Sequence, residues 1–186
     1  MSEAAPRELQ LPFTREVLAT LAAGDEVTLT GAVYTARDAT HERIVGALQR
    51  DGVLPFDLEG ATLFYAGPTP PAAGRPAGAI GPTTAKRMDE WTPALLRAGI
   101  VATIGKGVRS EAVAAACAET GSVYFAAVGG AAALLARHVT AMEPVAWPDL
   151  GTEALVAVML DRMPAFVAID THGVDLYRLA AAEWRA

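Results

Sequence analysis

The run Gly81-Pro82-Thr83-Thr84-Ala85-Lys86-Arg87 packs two hydroxyls, a stiffening proline and two cations into one short stretch. A proline ahead of paired threonines predicts a helix start, and the first-turn N–H groups of a helix attract carboxylate or phosphate. The four-residue spacing then puts Thr83 and Arg87 on one helix face, with the guanidinium leaning back toward the N-terminus. On that reading a hydroxyl, free amides and a guanidinium converge on one small anion. Taken by itself, the segment reads more readily as a capped surface helix with a solvated arginine.

Two further groups could share such a site. Arg37-Asp38-Ala39-Thr40-His41 closes a predicted strand and opens a helix. Arg37 could hold a carboxylate by paired hydrogen bonds, and His41 could move a proton near neutral pH. The alternative there is an Arg–Asp ion pair beside a surface histidine. Lys106 stands at the end of another predicted strand, where ligand crevices form in open α/β sheets, and is otherwise a solvated loop lysine. Several other chemistries fail on the residues. Gly105-Lys106-Gly107 lacks the earlier glycine and the Ser or Thr of a nucleotide phosphate loop. The only serines are Ser2, Ser110 and Ser122, so no nucleophile elbow exists. His41, His138 and His172 lack metal-ligand spacing, and Asp170-Thr171-His172-Gly173 reads as a turn.

The elements that must position these residues alternate along the chain. Residues 9–20 form an arm with a first strand, Val27–Thr35 alternates as a strand, and Thr40–Gln49 has helical spacing. Ala61–Ala66 reads as a strand. Residues 67–82 hold five of the twelve prolines, so this is a long loop or irregular hairpin that shapes a site. Beyond it the chain reads helix Thr83–Ala98, strand Ile100–Ile104, helix Ser110–Glu119, strand Ser122–Ala127 and helix Ala131–His138. A strand near Pro144–Trp147, a helix near Thr152–Leu160 and a strand Ala165–Ile169 complete the pattern. Alternation of this kind implies an α/β fold with a largely parallel sheet flanked by helices.

The 186 residues suit one domain, 1–186, of which 1–24 is an N-terminal arm. A formal net charge of −6 without any basic run argues against nucleic acid. Charges at Glu3, Arg7, Glu8, Arg15 and Glu16 leave no apolar core for a secretory signal. The longest uncharged stretch, Thr120–Ala136, is 17 residues and is broken by Gly129-Gly130, so no membrane span is expected. Cys117 is the single cysteine; it excludes an intrachain disulfide, cannot alone hold zinc or an iron–sulfur cluster, and fits a buried thiol on a helix in a reducing cytoplasm. No metal site is expected in the chain.

Six ordered motifs carry a resemblance: Tyr34-Thr-Ala-Arg-Asp-Ala-Thr-His41, Ala66-Gly-Pro68, Gly81-Pro-Thr-Thr-Ala-Lys-Arg-Met-Asp89, Ile104-Gly-Lys-Gly107, Val128-Gly-Gly-Ala-Ala-Ala133 and Pro164-Ala-Phe-Val-Ala-Ile-Asp170. Over about Val27–Tyr177 the chain resembles the β-subunit, or C-terminal domain, of class I iron–sulfur fumarate hydratases and the related L-tartrate dehydratases. The resemblance implies a swivelling β/β/α domain that supplies substrate-binding groups. It further implies that a [4Fe-4S] cluster and its cysteine ligands sit on a partner α-subunit, in an α2β2 heterotetramer acting on a C4 dicarboxylate. Thr83 matches the family's candidate base, and Arg37, Thr83, Arg87 and Lys106 match its substrate-binding residues; His41 is a second proton-transfer candidate. The implied activity is fumarate hydration to L-malate, with L-tartrate dehydration as the near alternative. A non-catalytic anion-binding or assembly module is the alternative of another class, and the intact Arg37, Thr83, Arg87 and Lys106 argue against it.

Overall fold

The structure, a computed structural model, describes residues 5–50 and 52–184. In chain order it places β1 (Arg7–Gln10), α1 (Arg15–Leu18), β2 (Glu26–Thr35), α2 (Asp38–Arg50) and β3 (Thr62–Phe64). A short 3-10 turn at Ala85–Met88 precedes α3 (Thr92–Arg97), β4 (Ala102–Gly105), α4 (Glu111–Thr120), β5 (Val123–Ala126) and α5 (Ala132–Leu135). The chain ends with β6 (Val139–Ala146), a 3-10 turn at Pro148–Glu153, β7 (Leu155–Ile169) and α6 (Leu176–Glu183).

The seven strands form one mixed sheet in the order β1-β2-β3-β4-β5-β7-β6. Neighbours from β1 to β5 pair in parallel, whereas β7 runs antiparallel to β5, β6 and β2. Because β7 bonds to both β5 and β2, the strands β2, β3, β4, β5 and β7 close on themselves as a partial barrel. The expectation of a largely parallel sheet is therefore met only in its first five strands. Its failure has a local cause: residues 152–160 read as a helix from sequence, yet Leu155–Leu160 form the first part of the 15-residue β7. Val156, Val158 and Leu160 recur at period two and point into the apolar core, where the closed sheet buries them better than a surface helix could.

Strand alternation divides the apolar residues into two cores. Val33, Phe64, Ile104, Phe125, Val158 and Val167 fill one side. Their sequence neighbours Leu63, Tyr65, Tyr124 and Ala168 face the other, with Ile44 of α2, Leu95 and Leu96 of α3, and Val113 and Ala116 of α4. Helices thus cover one face of the parallel strands, and the barrel interior occupies the other. The proline-rich stretch is an irregular hairpin: Thr69 N–H donates to Ala79 O over 3.0 Å, and Ala66 forms an isolated antiparallel bridge with Pro82. Among the described residues no helix is long and apolar enough to cross a membrane.

Candidate active site

The C-terminal ends of β2, β3, β4 and β5 lie side by side, and each leads into a loop. Arg37 follows β2, Ala66-Gly67 follows β3, Lys106 follows β4, and Gly129-Gly130 follows β5. The Pro82–Ala85 segment is stitched between two of these loops. Thr83 N–H donates to Tyr65 O over 2.7 Å, Lys106 N–H donates to Thr83 O over 3.2 Å, and Ala85 N–H donates to Lys106 O over 2.9 Å. A parallel bridge pairs Thr84 with Lys106.

This stitching corrects the expected helix over Thr83–Ala98. Thr84 is extended and Thr83 lies outside any helix; only Ala85–Met88 coils, as a 3-10 turn without a side-chain cap, and the α-helix waits until Thr92. Two of the amides that were to hold an anion, those of Thr83 and Ala85, are spent on the carbonyls of Tyr65 and Lys106, because pairing with two strand ends satisfies them without ordering a new helix. Thr83 and Arg87 thus do not share a helix face. Thr83 reaches the loops by acting as a short rung, with its hydroxyl free of any protein partner among the described residues. Gly105 permits this approach, since a Cβ there would lie 2.8 Å from Ala85 Cβ and 3.0 Å from the Tyr65 ring.

Both arginines are held by carboxylates that sequence reasoning missed. Arg87 pairs through Nε and Nη2 with Asp38 Oδ1 at 3.0 Å, which joins the Ala85–Met88 turn to the start of α2. Arg37 pairs with Glu153 at 3.2 Å and lies across Gly67, where a Cβ would come within 3.2 Å of its Cδ and Nη1. The Arg37 Nε and the Asp38 Oδ2 are buried and have no hydrogen-bond partner. Such groups are rarely left unpaired.

His41 sits behind this row. It is fully buried, its ring 5.2 Å from Tyr65 and 5.7 Å from Trp91, with Nδ1 2.8 Å from Arg37 O and Nε2 unpartnered. The expectation that its imidazole shares the crevice with Arg37 is not met: α2 turns the ring into the core. Burial lowers its pKa from 6.5 to about 4, against an opposing hydrogen bond to Arg37 O. Since the unfolded imidazole takes a proton near pH 6.5 and the folded one only near 4, the unfolded chain binds more protons between those values, and stability falls as pH falls. We predict a loss of about 1.2 kcal/mol between about pH 7 and about pH 5.5, read from urea midpoints. His41→Gln should flatten that slope; an unchanged slope would show that His41 is not buried as the neutral base.

Lys106 borders an open pocket of about 460 Å³ shared with Thr84, Gly129, Phe166 and Tyr177. Behind it, Arg109 is wholly buried: Nε donates to Asp89 over 2.6 Å, Nη2 donates to Thr92 Oγ1 over 2.7 Å, and the guanidinium lies 4.8 Å from the Tyr124 ring. Asp89 also accepts from Ser110 N–H over 2.6 Å, and Tyr124 OH donates to Gly107 O over 2.9 Å. This network ties the segment after Arg87 to the loop after Lys106. The twenty-residue gap between Asp89 and Arg109 left no sequence signal for the pair.

Among the described residues, no three His, Cys, Asp or Glu side chains form a metal-holding group. Cys117 is buried in α4, and burial pushes its thiol up to about 12. The residues of this chain do not fit an iron–sulfur cluster. The other two histidines stay outside the row: His172 is exposed in a turn held by Asp170 Oδ1, and the His138 ring bonds Asp161 O.

The family model described as "Fumarase C-terminus" matches residues 2–180. The chain is 35% identical over 181 residues to "Fumarate hydratase class I, anaerobic" of Escherichia coli, covering 95% of this chain and 33% of that protein. It is 34% identical over 165 residues to "Fumarate hydratase 2" of Leishmania major, covering 88% of this chain and 29% of that one. The chain therefore spans about a third of the length of these fumarate hydratases. It is also 36% identical over 171 residues to the Methanocaldococcus jannaschii protein named "Putative L(+)-tartrate dehydratase subunit beta", covering 89% of this chain and 88% of that protein. With the family model matching nearly the whole chain and a subunit-sized relative covered almost end to end, the chain belongs to the Fumarase C-terminus family.

Proposed function

We propose that this chain is the β-subunit of a [4Fe-4S]-dependent hydro-lyase, a fumarate hydratase that interconverts fumarate and L-malate, with L-tartrate dehydration as the near alternative. The observation that supports it most is that backbone bonds tie Thr83 to Tyr65 and Lys106 at the strand ends, while Arg87 pairs with Asp38, the residue next to Arg37. Three cations and a threonine hydroxyl on segments at one end of the sheet suit a C4 dicarboxylate. As this chain's residues do not fit the cluster, the cluster belongs to a partner α-subunit, in an α2β2 assembly whose β-subunit is a swivelling β/β/α domain.

In this reading the guanidinium groups of Arg37 and Arg87 fix the substrate carboxylates. In the dehydration direction Thr83 Oγ1, as the alkoxide left once its own proton has gone to solvent, takes the proton from the carbon next to one carboxylate; the electron pair left behind forms the double bond, and the substrate hydroxyl departs as hydroxide. Lys106 and the arginines stabilise the charge that builds on that carboxylate as the proton leaves. A threonine is a weak base, and the neighbouring positive charge lowers its pKa.

The test is anaerobic co-expression with a cluster-bearing partner and assay with fumarate, L-malate and tartrate. Arg37→Ala, Arg87→Ala and Lys106→Ala should each weaken substrate binding about tenfold or more, with the fold of the chain retained. Wild-type kinetics in all three variants would defeat the assignment of the site.

A further inference from the structure

We propose that Glu153 is a positioning residue, which sets the direction of the Arg37 guanidinium and acts on the substrate only through it. The inference rests on the reading that Arg37 binds a substrate carboxylate. Glu153 ends the Pro148–Glu153 turn, just before β7, and its two carboxylate oxygens are divided between two tasks. Oε1 faces Arg37 Nη2 at 3.2 Å, and Oε2 accepts from Ala39 N–H at the start of α2 over 3.0 Å.

The turn that carries Glu153 is itself fixed to α2. Thr40 Oγ1 donates to Glu153 O, and Arg43 Nη1 donates to Asp149 Oδ1 over 2.9 Å. On the other side, Thr35 pairs with Val156 in the β2–β7 register, which places residue 153 opposite the end of β2. The carboxylate is therefore anchored at both ends before it meets Arg37. Arg37 meanwhile has little freedom: Gly67 lies against its Cδ and Nη1, Thr152 O would lie 2.7 Å from a Cβ at that glycine, and Nε is left without a partner. Glu153 takes Nη2 alone, and 24% of the Arg37 side chain stays exposed, so the guanidinium keeps N–H groups for a second carboxylate.

A purely structural role would make Glu153 a cap on α2, indifferent to what Arg37 does. A double-mutant cycle separates the two roles, since a residue acting through another loses its effect when that other is removed. In the assembled enzyme, Glu153→Gln keeps an acceptor for only one of the two partners. It should lower kcat/KM for L-malate about tenfold, chiefly through KM, while in the Arg37→Ala background the same change should cost less than about twofold. An equal factor in both backgrounds would overturn the inference in favour of a cap. A strong effect of Arg37→Ala with a silent Glu153→Gln would overturn the inference and leave the site reading standing. If Arg37→Ala is itself silent, the reading that Arg37 binds a substrate carboxylate fails and the inference with it. Should Glu153→Gln not assemble, Glu153→Asp carries the same cycle, because its carboxylate is one methylene too short to span Arg37 and Ala39.

Discussion

Replacing Thr83 by alanine should cut turnover of the assembled enzyme about a hundredfold or more while moving the Michaelis constant only a fewfold. A group that takes a proton in the transition state contributes little to holding the ground state, so its loss falls on kcat. The structure sharpens this expectation. Thr83 is not a helix cap, its main chain is already locked by Tyr65 O and Lys106 N–H, and its hydroxyl has no structural bond to lose. Stability should therefore change by less than the ~1 kcal/mol typical of a lost cap. Thr84 is the control. It pairs with Lys106 in the same bridge and lines the pocket beside that lysine, but its hydroxyl makes no cap bond. Thr84→Ala should keep turnover within about threefold. Small and equal effects from both substitutions would remove Thr83 from the chemistry, and buried, neutral His41 would be a poor replacement for it.

Which parts of this arrangement were legible in the sequence follows from how far each one depends on distant residues. The strand at Glu26–Thr35, the helix after Asp38, and the strand–helix–strand run through β4, α4 and β5 each carry their own period, and the structure has them within a few residues. Those elements alone bring Arg37 and Lys106 to one end of the sheet. The Thr83–Ala98 segment misled because Pro-Thr-Thr is a start signal only where the following amides lack better partners; here Tyr65 and Lys106 supply them. β7 misled for a related reason. Its alanine, methionine and leucine suit a helix, and only the closure against β2 and β5 makes the period-two reading the better one. The carboxylates behind the cations were illegible because Arg37–Glu153, Arg87–Asp38 and Arg109–Asp89 all join residues far apart in the chain.

The last of these pairs should dominate stability. Asp89→Asn should cost about 3 kcal/mol, because Arg109 stays protonated and is left buried without its counter-charge. The introduced amide would also have to choose between accepting from Arg109 Nε and accepting from Ser110 N–H, both of which Asp89 now satisfies at 2.6 Å. The rings of Tyr65 and Tyr124, 5.3 and 4.8 Å from the guanidinium carbon, offset only part of that loss. Adding Arg109→Met should recover at least half of it, since the double variant removes both charges, fills the same space and lets the amide oxygen accept from Ser110 N–H alone. Chemical denaturation midpoints at constant m-value are the measurement. If Asp89→Asn costs less than about 1 kcal/mol, or the double variant is worse than the single, the buried charge does not govern stability here. Recovery of stability need not bring recovery of activity. Arg109 reaches Thr92 and Asp89 on one side, and on the other it belongs to the loop of Lys106, so methionine could refill the core while leaving that loop free to shift against Thr83. A stable double variant with reduced turnover would show that the ion pair is there to place Lys106, not to hold the fold together.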